Sequence, residues 1–136
     1  MRRVLLVLTI IVAALALAVP VAHAGSPHFV GTPTLNQTGD TLTATFKIAG
    51  LGNEDQTITL SGVVQCVNGG GNDPQADNKR STIASEVFSP KNGNIVGSLS
   101  GDLGGIDPDC APPMTLDARN LVLSVEPAGI SYTFPA

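Results

Sequence analysis

The residues able to do chemistry in this chain are few and gather in two stretches. One runs Cys66-Val67-Asn68-Gly69-Gly70-Gly71-Asn72-Asp73-Pro74-Gln75-Ala76-Asp77-Asn78; the other, residues 101–113, holds Asp102, Asp107, Asp109 and Cys110. Cysteine can serve as nucleophile, metal ligand or half of a disulfide, and the oxygen-rich side chains suit a hard cation such as calcium. Each chemistry has a ligand or partner requirement that the sequence can be held to.

Nucleophilic catalysis of the Ser-His-Asp or Cys-His kind needs a histidine fixed between nucleophile and orienting acid. Beyond residue 24 the chain has one histidine, His28, near the start of that stretch and on a weak strand. Paired-carboxylate hydrolysis needs two acids in set positions, and nothing in the sequence marks a pair as buried. A blue-copper centre needs two histidines, a cysteine and commonly a methionine. Cys110 and Met114 lie four apart, but His28 alone cannot complete the set. The triple glycine could suggest a phosphate cradle, yet neither the lysine nor the helix of such a loop follows it. Calcium would draw on Asn68, Asn72, Asp73, Asp77, Asn78, Asp102, Asp107 and Asp109, but no EF-hand spacing occurs, and Asn and Asp are what turns are made of. The expectation is therefore no catalytic residue, no metal and no cofactor, with the polar loops as candidate binding surfaces.

These loops must be positioned by the rest of the chain, whose compartment is announced at its start. Arg2 and Arg3 precede an apolar run from Val4 to Val19, Pro20 breaks it, and Ala22-His23-Ala24 offers small residues at a peptidase site. That is the pattern of a cleaved secretory signal peptide over residues 1–24; retention as a membrane anchor is the alternative. In an exported chain two cysteines read as one disulfide, Cys66–Cys110, closing a loop of about 44 residues and worth about 4 kcal/mol in the chain-entropy model. Residues 25–136 are long enough for one domain. They carry five basic against eleven acidic side chains, a net charge of about −6 with histidine neutral. Such a surface repels phosphate backbones and anionic lipid, so neither nucleic acid nor membrane is expected as a partner once the signal is removed.

Periodicity gives the scaffold. Residues 41–49 alternate Leu42, Ala44, Phe46 and Ile48 with threonines and Lys47, and residues 57–67 place Ile58, Leu60, Val64 and Cys66 on one side. Period-two patterns of this kind are strands with one buried face. Gly62 interrupts the second and predicts a bulge. A weak first strand is expected over 28–35, kept at an edge by Pro33, followed by a turn over 36–40. Residues 81–88 and 94–100 flank Asn92-Gly93, a favoured hairpin pair. Residues 118–126, with Leu121, Leu123 and Val125 inward, and 130–134 complete about seven strands. The fold class predicted is all-β: a single antiparallel β-sandwich of immunoglobulin-like type with one disulfide. It lacks the core tryptophan of true immunoglobulin domains.

The stretch Cys66-x-Asn68-x-Gly70-Gly71-Asn72-x-Pro74 resembles a Cys-x-Asn-x-Gly-Gly-Asn-x-Pro loop of small secreted bacterial β-sandwich proteins of unknown function, although Ala76 sits closer to the proline than their pattern has it. The resemblance implies the same export, strand count and downstream cysteine, and brings no activity with it. The expected function is a secreted, non-catalytic binding or interaction module for an extracellular partner or ligand, presenting two disulfide-pinned loops. A self-assembling structural or cell-surface protein and a small-molecule carrier with a cleft between its sheets are the alternatives.

Overall fold

The computed structural model describes residues 25–70, 80–106 and 110–136. It is all-β. Eight strands run β1 (His28–Phe29), β2 (Thr34–Thr38), β3 (Thr41–Ala49), β4 (Gln56–Val67), β5 (Arg80–Phe88), β6 (Ile95–Asp102), β7 (Thr115–Glu126) and β8 (Ile130–Thr133), with a 3-10 turn at Leu103–Gly105. In one sheet β1 and β2 share one side of β3 and β6 takes the other; the second sheet has the order β5-β4-β7-β8. Every pairing is antiparallel.

The alternating patterns build the core as expected. Leu42, Ala44, Phe46 and Ile48 from β3 face Ile58, Leu60 and Val64 from β4 and Leu121, Leu123 and Val125 from β7, all of them buried. Lys47 and most of the threonines of β3 lie on its other face, exposed. Burying one such aliphatic side chain is worth about 1.5–3 kcal/mol, so the register that keeps each pattern inward is strongly selected. The predicted bulge at Gly62 is present: the register of β4 shifts between Leu60 and Ser61 against β5, and between Ser61 and Val63 against β7. A Cβ there would stand 2.6 Å from Leu121 Cδ2 and 3.0 Å from the Arg119 backbone oxygen, so any larger residue would force a shift.

Three expectations are corrected. The first strand is two short ones, which makes eight strands where about seven were expected. The chain breaks between Phe29 and Thr34, where Gly31 has φ +73° and Pro33 cannot donate to a ladder. Residues 36–38, read as turn, pair in register with Thr41–Thr43. The turn needs only Gly39 and Asp40, since Gly39 takes φ +60° at the first turn position, as a II′ hairpin demands. The third correction concerns β5 and β6. Asn92 and Gly93 adopt φ +52° and +75°, and Lys91 and Asn94 bridge as a I′ turn requires. The flanking strands, however, pair with β4 and β3 in opposite sheets. Pro90 interrupts the ladder just beyond β5, and the long inner strands β3 and β4 offer each flanking strand a partner. The motif is a corner between sheets. Away from the corner, β5 and β6 approach closely at Gly101, where a Cβ would lie 2.5 Å from the backbone oxygen of Ile83.

Candidate functional site

β4 carries Cys66 out of the core opposite Leu116 of β7, with its side chain fully buried. It is bonded to Cys110, with S–S 2.10 Å and Cα–Cα 5.5 Å, the Cα separation disulfides ordinarily take. The predicted pairing is therefore observed, and there are no free cysteines. Of the polar loop residues singled out in the sequence, Asn68 is half-buried just past β4, and its Oδ1 accepts the N–H of Gly70 at 3.0 Å. Asn72, Asp73, Asp77, Asn78, Asp107 and Asp109 lie outside the described residues.

The strands flanking the second predicted loop, 101–113, reach further than expected: β7 begins at Thr115 rather than at 118, and β6 runs on through Asp102. The reason is Leu103, which is completely buried. Its N–H donates to the carbonyl of Asp40 at 2.7 Å, tying the 3-10 turn to the β2–β3 turn. Asp102 is committed locally as the cap of that turn, its Oδ1 accepting the N–H of Gly104 at 2.9 Å.

These anchors create a cleft at the stapled end of the sandwich. The β2–β3 turn supplies Gln37, Gly39 and Asp40, the 3-10 turn supplies Gly104, and the chain leading into β7 supplies Cys110, Met114, Thr115 and Leu116, enclosing about 590 Å³. Asp40 is the one carboxylate among these lining residues, and its Oδ2 lies 3.6 Å from the position a Cβ on Gly104 would take. Met114, Leu116 and the disulfide give it an apolar side; Asp40, Gln37 and Thr115 give it acceptors and donors. Such a site can hold an apolar body with a polar or positively charged head. None of these lining residues forms a nucleophile–base pair. His28 is exposed on β1 and bonds through Nδ1 to the carbonyl of Ser26 at 2.8 Å. Among the described residues no group of three or more His, Cys, Asp or Glu is placed to hold a metal ion.

Smaller clefts lie elsewhere, one of about 440 Å³ between β7 and residues 135–136 and one of about 250 Å³ at the β5–β6 corner. The sequence reading did not select Asp40, Gln37 or Thr115. Residues 37–40 fell within the expected turn and 115 between the expected loop and strand; the long-range bond from Leu103 to Asp40 and the disulfide bring them together.

Fold and site together define a two-sheet antiparallel β protein stapled once, with a cleft at the stapled end. No protein-family model, curated protein or solved structure matches the chain.

Proposed function

We propose that the protein is a secreted, non-catalytic binding module that recognises its ligand or partner at the stapled end of an immunoglobulin-like sandwich. The observation that carries this reading is the cleft of Gln37, Asp40, Met114, Thr115 and Leu116, built from three separate segments and fixed by the Cys66–Cys110 bond. Recognition sites favour such loop clusters on a rigid sheet scaffold. The neighbour relations β2-β3-β6 and β4-β7-β8 correspond to strands A-B-E and C-F-G of the immunoglobulin arrangement, with β5 beside β4 instead of beside β6. Export with removal of residues 1–24 follows from the apolar leader, and a disulfide is compatible with an oxidising compartment.

Native mass spectrometry of the protein isolated from its own culture medium tests the binding role. A retained adduct that is lost in the Asp40→Ala/Thr115→Ala variant supports it; an adduct indifferent to that change places binding elsewhere. Self-association is the second reading, favoured by β5, a nine-residue strand that among the described residues has β4 on one side only and Val87 exposed on it. Light scattering at rising concentration separates the two, since a strictly monomeric protein excludes assembly through that edge.

A further inference from the structure

Two Asn-Gly steps occur in the sequence, Asn68-Gly69 and Asn92-Gly93, and the structure holds them in opposite states. Asn-Gly is the dipeptide at which the backbone nitrogen of the glycine most readily attacks the asparagine side-chain carbonyl, because glycine has no Cβ to obstruct the approach. We propose that Asn68 is a site of spontaneous self-modification, converting to aspartate and isoaspartate through a cyclic imide, whereas Asn92 is protected by its turn.

At Asn68 the Gly70 N–H donates to Oδ1 at 3.0 Å. That oxygen is the one on which negative charge develops when Gly69 N adds to Cγ, so the Gly70 amide stands where an oxyanion donor acts. The ring closed by this hydrogen bond also brackets the Gly69 peptide nitrogen and keeps the side chain folded over it. Gly69 is exposed, and nothing lies within 4 Å of the position a Cβ would take there. Water therefore reaches the site.

Asn92 is held by its turn. Lys91 and Asn94 exchange both backbone hydrogen bonds, at 2.8 and 3.0 Å. Asn94 Nδ2 holds the Asn92 carbonyl at 2.9 Å, and Leu51 N–H holds the Gly93 carbonyl at 3.0 Å. A I′ turn sets the Asn92 backbone so that the Gly93 nitrogen points nearly opposite to Cβ, while ring closure needs the two eclipsed. The turn must open before Asn92 can react.

The reaction balances without any cofactor. Gly69 N–H gives its proton to water or hydroxide and its nitrogen forms a bond to Asn68 Cγ. The Cγ–Nδ2 bond breaks and ammonia leaves. One water then opens the imide at either carbonyl, yielding aspartate or isoaspartate at position 68. Either product adds one negative charge two residues beyond Cys66, and isoaspartate also lengthens the backbone by a methylene at the root of the candidate loop.

The test is peptide mapping by mass spectrometry after incubation of the purified protein at mildly alkaline pH, with an isoaspartyl-specific methyltransferase assay in parallel. In the folded protein, conversion at Asn68 is expected to exceed that at Asn92 by at least about tenfold, less than the 10²–10³ of an enzymic oxyanion donor because the site is open to water. In urea the two steps should converge, since both are then plain Asn-Gly dipeptides. Gly70→Pro, which removes the donating N–H, should slow Asn68 in the folded protein. Equal folded-state rates at the two sites, or conversion at Asn68 no faster folded than in urea, would overturn the proposal even if Gly70→Pro failed to fold.

Discussion

Gln56 offers the sharpest test of how the scaffold is held. It is a polar residue only 2 % exposed, and both ends of its amide are engaged. Oε1 accepts the N–H of Ala128 at 2.9 Å, and Nε2 donates to the carbonyl of Glu54 at 2.9 Å. One side chain thus ties the β3–β4 connection to the β7–β8 turn. Gln56→Ala removes both bonds and one buried methylene. At about 0.5–1.5 kcal/mol per hydrogen bond, with more where the abandoned Ala128 N–H stays out of water, and about 0.8 kcal/mol per methylene, the expected loss is about 2–4 kcal/mol. With a urea slope near 1.5 kcal/mol/M for a domain of this size, the unfolding midpoint falls by about 1–3 M. Amide exchange at Ala128 should accelerate more than at the core of β4, which marks the effect as local to the bond. Gln56→Glu adds a sign test. One carboxyl oxygen can still accept from Ala128, but the other faces the Glu54 carbonyl and needs a proton. The folded chain then binds that proton more tightly than the unfolded chain, so the variant is most stable in acid and loses stability as pH rises past about 4.3, the ordinary glutamate value. A midpoint change below about 0.3 M for Gln56→Ala, or a Gln56→Glu variant that gains stability with rising pH, would refute this account of the residue.

Two further outcomes follow from the same packing. Leu103→Ala empties a fully buried position and should cost about 2.5–5 kcal/mol in urea unfolding; a loss under about 1 kcal/mol would mean the 3-10 turn does not anchor the cleft. Cys66→Ala/Cys110→Ala should lower stability by about 2–4 kcal/mol while leaving the far-ultraviolet dichroism of the sheets in place; collapse of the dichroism would make the bond a condition of folding rather than a staple of one end.

What the sequence disclosed depended on whether a signal was local. β3 was legible from end to end because one face is buried and the other wet, which leaves a clean period of two. Gly62 was legible because a glycine inside a strand pattern has few other uses. The Cys66–Cys110 bond was legible because the leader pattern predicts export and two cysteines allow one pairing. The β5–β6 corner was not, since its turn residues specify a reversal of the chain without saying which strands the flanks will pair with. That choice is made by β3 and β4, more than twenty residues away in sequence. Leu103 was hidden by its neighbours: one apolar residue among Gly101, Asp102, Gly104 and Gly105 carries no period, yet it determines where the loop ends and brings Asp40 to the cleft. Gln56 was hidden for a similar reason, because a polar residue at the end of a polar connection gives no sign of being buried. For the candidate site, the cysteines and Asn68 were read in the sequence, while Gln37, Asp40 and Thr115 became visible only through contacts across the sandwich.

The central claim is that the stapled end of the sandwich is the recognition surface. Amide-resolved NMR of the isotopically labelled protein, titrated with concentrated medium from its own culture, tests it most directly. The account predicts shift changes clustered at Gln37–Asp40, Gly104 and Met114–Leu116, and their loss when the disulfide is reduced under conditions that keep the sheets folded. Changes centred on the free edge of β5, or a response at the cleft unaltered by reduction, would contradict it.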